Sequence, residues 1–210
     1  MEDFCVYIPT YNEARTIGPL VRELKTLGAR VTVIDDSSPD MTGQIAMRAG
    51  AVVHRRPEKS GLASAYIDAL AMSTADYTIT MDAGGTHTPA KVMELYNMRK
   101  EADIVIAQRS FHGLTWRRLL SQACGLFFLR HGIRDATCGL RCYRIDKIRS
   151  KLPLIKSKGH VFQAELLALG LLAGLSVACV EIPYLVEKDS RVRVWEMREA
   201  LCLLPLLLGY

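Results

Sequence analysis

Acidic residues stand where three apolar runs of the chain stop. Glu13 follows "FCVYIPT" (4–10), Asp35 and Asp36 close the core of "RVTVIDDSS" (30–38), and Asp82 ends "YTITMD" (77–82). In an open parallel sheet the carboxyl ends of the strands line one crevice, so acids far apart in sequence converge there. Carboxylates so placed can accept hydrogen bonds from a base N–H or a ribose hydroxyl, and can hold a hard cation against a diphosphate. Each acid alone could instead be an ordinary turn or helix-cap residue. The turn after Asp82 reads "DAGGTHTP", and Gly84 stands where a second carboxylate would complete a two-acid clamp. Asp82 is therefore the candidate metal ligand, sharing the ion with substrate oxygens. His87 is a candidate nitrogen ligand that would favour Mn2+ over Mg2+; a hydrogen-bonding role within the loop is its alternative.

The elements needed to carry these residues alternate along the chain, which argues for βαβ units and a parallel sheet. Strand-like runs occupy 4–10, ending at Pro9, then 30–38, 51–56, 77–82 and 103–109. Between them lie helical patterns. In the first, Ile17, Leu20, Val21, Leu24 and Leu27 keep helical spacing, Asn12 or Thr16 could start it, and Gly28 ends it. Further helices are expected in 41–50, 60–73 and 89–100. The second part of the chain offers a helix over "WRRLLSQACGLFFLRHG", mixed turn and strand signals in "DATCGLRCYR" (135–144), a helix through "HVFQAELLALGLLAG", and a strand over 176–186. The small residues of "SGLASAY", with Gly61, permit a backbone to approach closely. With no repeat, low-complexity tract or linker, a single domain is expected, its nucleotide half over about 1–110 and its acceptor half, with an apolar tail, over about 111–210.

Composition bounds the function. The chain has 210 residues, 50% of them apolar and 23% charged, enough for one α/β core. The net charge of +5 is unevenly placed: Arg117, Arg118 and Arg130, then Arg141, Arg144, Lys147, Arg149, Lys151, Lys156 and Lys158. Such a face suits phosphates or an anionic membrane, or is simply a solvated surface. The six cysteines show no zinc spacing and read as reduced, structural residues. No leader pattern and no run of ~18 apolar residues is found, so a cytoplasmic protein without a membrane span is expected. "EALCLLPLLLGY" (199–210) reads as a core-covering segment or an interfacial anchor. The dinucleotide fingerprint, the phosphate-binding G-x-x-x-x-G-K-[ST] loop and the Gly-x-Ser-x-Gly elbow are all missing, which weakens oxidoreductase and hydrolase readings.

Six segments in order, "IPTYNEA", "VIDDSSPDMTG", "HRRPEKSGLASAY", "TMDAGGTHTP", "DATCGLRCYR" and "GHVFQAELL", resemble family 2 glycosyltransferases. Within that family they are most similar to polyprenyl-phosphate (dolichol-phosphate) mannosyltransferases and their glucosyl relatives. The resemblance implies an α/β fold of the GT-A nucleotide-sugar-binding type, a central mostly parallel sheet flanked by helices. It places Pro9, Tyr11, Glu13, Ile34, Asp36 and Lys59 at the base and ribose, and Asp82 and Ala83 at ribose and diphosphate. Arg109 and Arg191 fall to the diphosphate, and Asp135, Arg141, Gln163 and Arg117 to the sugar and acceptor phosphate, with Glu165 on the same helix as Gln163. Arginine suits phosphate because its planar fork donates two hydrogen bonds at once. Asp82, Asp135, Arg109, Arg141 and Arg191 are accordingly the expected catalytic set.

The implied reaction moves a hexose, mannose from GDP-mannose first, to a polyprenyl phosphate with inversion, at the cytoplasmic membrane face and with Mg2+ or Mn2+. A UDP-sugar donor, UDP-glucose in particular, is the alternative within the class. A degenerate nucleotide-sugar-binding protein is the alternative outside it. Two departures motivate the latter. The family's second metal-site aspartate is Gly84 here, with Thr86 after it, and the late loop "SRVRVWEMREA" lacks the lysine that relatives carry after the arginine, leaving Arg193 or Arg198 as other sources of charge. The segment after Arg109, "SFHGLTWRR", is also short, with one glycine where relatives often carry a longer glycine-rich loop.

Overall fold

A computed structural model describes residues 4–84, 87–110 and 125–183. Seven strands form one sheet: β1 (Cys5–Thr10), β2 (Arg30–Asp35), β3 (Val52–Arg55), β4 (Tyr77–Thr80), β5 (Ile104–Ser110), β6 (Arg141–Arg144) and β7 (Val177–Pro183). Their spatial order is β3-β2-β1-β4-β6-β5-β7. β1, β2, β3 and β4 pair in parallel, as do β5 and β7, whereas β6 runs antiparallel between β4 and β5. The helices are α1 (Ile17–Thr26), α2 (Thr42–Arg48), α3 (Leu62–Met72), α4 (Pro89–Asn97), α5 (Gly125–Leu129), α6 (Ile145–Ile148) and α7 (Phe162–Leu172), with a 3-10 turn over Arg149–Leu154.

Both faces of the sheet are covered, and this is why its central strands are apolar almost without interruption. Val6 and Ile8 join Ile17, Leu20, Val21 and Leu24 of α1 and Val92 and Leu95 of α4 in one core. On the opposite face Cys5, Tyr7 and Ile34 pack on Ala65 and Ala69 of α3. Farther along that face, Ile104, Ile106 and Tyr143 meet Leu166 and Leu167 of α7. The apolar i, i+3, i+4 stripe of α1 and the small-residue face of α3 thus fix which side of the sheet each helix takes.

Strand β1 continues through Pro9 to Thr10, one residue beyond the expected stop. Its pairing with β4 ends at Tyr7 opposite Thr80, while its pairing with β2 continues to Thr10 opposite Asp35. Pro9 lies past the end of the β4 ladder, where a missing N–H breaks no hydrogen bond. β2 ends at Asp35, so Asp36 begins the crevice loop. β6 is the main feature the periodicity conceals: four residues, "RCYR", too short and too charged for an alternation signal. Because β6 is antiparallel, its first residue pairs with Thr80 at the end of β4, which brings the 135–140 segment to the same sheet end as Asp82. The expected helix from residue 116 is described only over Gly125–Leu129.

Four described cysteines, Cys5, Cys138, Cys142 and Cys179, are free thiols. Burial pushes Cys138 and Cys142 up to about 12, which makes them inert at neutral pH. Among the described residues no helix is long and apolar enough to cross a membrane.

Candidate active site

Asp82 emerges two residues beyond β4 with its side chain 42% exposed. Its carboxylate is nonetheless held from two sides. Tyr66 of α3 donates its phenol to Oδ1, and His87 Nε2 lies 3.4 Å from Oδ2. Burial opposes ionisation, but the hydrogen bonds from His87 and Tyr66, with the His87 and His160 imidazoles nearby, hold this carboxyl well below the usual carboxylate range. Burial, then the charge and acceptance of Asp82, push the Tyr66 phenol far up, so it stays a donor. Asp82 is therefore an oriented, ionised carboxylate with part of its side chain still exposed.

Two neighbouring loops are zipped together. The backbone N–H groups of Asn12, Glu13 and Ala14 donate to Ser38 Oγ, Thr42 Oγ1 and Asp40 Oδ2 at 3.1, 2.9 and 3.1 Å. This sets Tyr11 and Glu13, both half-buried, beside the end of β2. The Lys59 ammonium sits 3.5 Å above the centre of the Tyr11 ring, joining two residues expected at the base. Ala83 is buried directly after Asp82.

Several expected contacts are spent elsewhere. Asp36 is buried, and it accepts hydrogen bonds from Arg56 Nη1, Ser60 N and Gly61 N, each at 2.9 Å. It ties down the 56–61 loop, which carries Lys59, and has little valence left for a ribose. Pro9 is buried within β1, and the Ile34 side chain belongs to the core beneath α3.

On the other side of Asp82, Arg109 at the end of β5 forms a two-point ion pair with Asp135: Nε to Oδ2 at 2.5 Å and Nη2 to Oδ1 at 3.0 Å. Thr137 Oγ1 accepts a further Nη2 bond at 2.8 Å. Burial works against both charges, yet each stabilises the other: Asp135 is lowered and Arg109 raised. The charge of Asp82 adds a smaller contribution in the same direction to Arg109. Asp135 has no exposed surface, and its carboxylate faces Arg109.

Arg141 departs from its expected role most clearly. It has no exposed surface, and its guanidinium donates to the carbonyls of Cys138, Gln163 and Ala136 at 2.8, 2.7 and 2.5 Å. A fully enclosed cation bound to three carbonyls cannot reach an acceptor phosphate; it pins the 136–138 segment onto α7. Gln163, also buried, accepts from the Tyr143 phenol at 3.2 Å, and Glu165 accepts from Lys156 N and Ser157 N. Arg141 and Gln163, both expected near the acceptor, thus make internal contacts here, as does Glu165. The basic run is likewise thinned: Arg149 donates to the carbonyls of Ala71 and Ser73 at the end of α3, and Arg144 pairs with Asp103 and Asp146. Arg117, Arg191, Arg193, Arg198, Thr86 and the tail lie outside the described residues.

Residues 5–147 match the family described as "Glycosyl transferase family 2". The chain belongs to glycosyl transferase family 2. This transferase is 34% identical to the undecaprenyl-phosphate mannosyltransferase of Micrococcus luteus, over 76% of this chain and 74% of that protein. It is 32% identical to the polyprenol monophosphomannose synthase of Mycolicibacterium smegmatis, over 85% and 75%. Among solved structures, the glucosyl-3-phosphoglycerate synthase of Mycobacterium tuberculosis in complex with Mn2+, UDP-glucose and phosphoglyceric acid superposes with a TM-score of 0.76 at 20% identity, over 99% of this chain and 80% of that one. The transferase therefore has the GT-A type fold, a sheet flanked by helices.

The donor set of the transferase limits how a divalent cation could be held. Among the described residues no three His, Cys, Asp or Glu side chains cluster to hold a metal ion. His87 does not serve as a ligand in this arrangement: its ring is 2% exposed, Nε2 faces the Asp82 carboxylate, and Nδ1 is buried without a partner. In this arrangement His87, expected as a ligand or a hydrogen-bonding loop residue, contacts the Asp82 carboxylate. Among the described residues this leaves the half-exposed Asp82 carboxylate, which fits a cation shared with diphosphate oxygens and water. Tyr66, Gly139 and His160 were not singled out from sequence. For Tyr66 a signal existed, since it is the only large side chain with a polar head on the otherwise apolar inner face of α3.

Proposed function

We propose that the transferase moves mannose from GDP-mannose to a polyprenyl phosphate at the cytoplasmic face of a membrane, inverting the anomeric configuration. The observation that carries the reading is Asp82, oriented by Tyr66 and His87 and 42% exposed just past the end of β4. Support for the acceptor comes from the two mannosyl-transferring relatives, whose names specify undecaprenyl phosphate and a polyprenol product.

In this reading an acceptor phosphate oxygen attacks the anomeric carbon. The bond from that carbon to the diphosphate breaks, and the nucleoside diphosphate leaves. The acceptor is an anion at neutral pH, so no side chain must remove its proton. The main demand is to offset charge growing on the leaving group. A divalent cation held between Asp82 and the diphosphate would supply part of that charge. Arg109, aimed by Asp135 and Thr137, is assigned to the same oxygens. Tyr11 and Lys59 are assigned to the base side of the crevice, and Glu13 to the ribose. Arg191 and Arg117 are retained as phosphate ligands by resemblance. The exposed Lys147, Lys156 and Lys158, with the 199–210 tail, are assigned to the membrane surface.

The test is transfer itself. Purified protein is incubated with a labelled nucleotide sugar and a short polyprenyl phosphate, with Mg2+, Mn2+ or chelator. Labelled mannolipid from GDP-mannose, lost with chelator, is the expected result. Glycolipid from UDP-glucose alone would replace the donor assignment. No glycolipid from any donor, despite nucleotide binding, would reduce the protein to a binding module.

A further inference from the structure

We propose that Tyr66, seated against the backbone notch at Gly139, is a positioning residue that holds the Asp82 carboxylate toward the donor diphosphate. The inference rests on the reading that Asp82 meets a cation and diphosphate there. A two-acid clamp restricts each of its carboxylates through the shared ion. With Gly84 in place of the second acid, Asp82 must be oriented by its neighbours instead.

The neighbours are built for it. Tyr66 is buried, its ring packs on Phe162 at a centroid distance of 5.0 Å, and its hydroxyl ends on Asp82 Oδ1. Gly139 faces both groups: a Cβ there would lie 2.6 and 2.7 Å from the two Asp82 oxygens and 2.7 Å from the Tyr66 hydroxyl. The notch cannot drift away from β4, because Thr80 Oγ1 donates to the Gly139 carbonyl at 3.1 Å, two residues before Asp82. With Oδ1 taken by Tyr66 and Oδ2 approached by His87, both torsions of the aspartate are set before any ligand arrives.

The experiment titrates Mn2+ into full-length protein with GDP present and reads the Mn2+ concentration that half-maximally enhances GDP affinity, together with Tm. Tyr66→Phe keeps the ring against Phe162 and removes only the donor. It should raise the Mn2+ half-saturation about 10-fold or more while GDP affinity in chelator is unchanged. Gly139→Ala should do the same with the phenol intact, and decides the matter if Tyr66→Phe fails to fold. Asp82→Ala should abolish the enhancement. Wild-type Mn2+ dependence in both Tyr66→Phe and Gly139→Ala, alongside its loss in Asp82→Ala, overturns the positioning role alone. Retention of the enhancement in Asp82→Ala overturns the site assignment and this inference with it.

Discussion

The turn after β4 and the segment entering β6 meet at one end of the sheet, and each brings an aspartate there. Asp82 keeps 42% of its side chain exposed and takes hydrogen bonds from two side chains, whereas Asp135 is fully enclosed and takes them from Arg109, Thr137 and their backbone. Both are held ionised against burial, by different means: a phenol and an imidazole for Asp82, a guanidinium for Asp135. A strand-end position therefore does not define a reactive carboxylate. The valence left over once the fold has used the group does. Asp82 has valence to offer a ligand, and Asp135 has given its own to Arg109.

That contrast is broken most forcefully at Asp82. Asp82→Ala should lower turnover by about 100-fold or more, the scale of losing one charge stabiliser at a reacting centre, and should lower unfolding free energy by about 1–3 kcal/mol, because the buried Tyr66 phenol loses its acceptor. For Asp135→Asn the larger expected loss is in stability. This substitution leaves the Arg109 guanidinium buried without its counter-charge, and should lower unfolding free energy by about 3–5 kcal/mol in urea titrations. The acid limb sharpens this. The folded pKa of Asp135 is depressed, so its contribution is complete above the unfolded value of about 3.9 and fades as pH falls below that toward the folded value. Stability of Asp135→Asn should consequently depend less on pH than that of wild type below about pH 4. Arg141→Met strands three carbonyls, and a loss of about 3 kcal/mol is expected with the KM for acceptor unchanged. A raised acceptor KM with unaltered stability would restore Arg141 to the acceptor site. The smallest effect is that of Lys59→Ala, which removes an exposed contact to Tyr11 and should raise donor KM by about threefold.

The parallel part of the fold was legible because its signals are local. The stripe Ile17, Leu20, Val21, Leu24 and the doubly buried strands announce helix and sheet within short windows. Asp82 was legible for the same reason, as an acid leaving an apolar run into glycines. β6 was not, because its four residues are recognisable only through pairing with β4 and β5, both distant in sequence. The division of labour among charged residues was hidden too. Nothing in the sequence tells that Arg141 will face three carbonyls while Arg109 faces a carboxylate, or that Asp36 will be saturated by Arg56, Ser60 and Gly61. Those outcomes depend on which unsatisfied backbone groups each side chain meets in three dimensions. Gly84 was visible as a departure, but the contacts of Tyr66 and the Gly139 notch with Asp82 join residues far apart in sequence.

The most direct measurement is anomalous diffraction at the manganese edge from crystals grown with GDP and Mn2+. The account predicts a single strong peak in the first coordination sphere of Asp82, bridged to diphosphate oxygens, with Tyr66 still on Oδ1 and Asp135 still on Arg109. A manganese peak bound by other residues, with Asp82 contacting only protein, would contradict it.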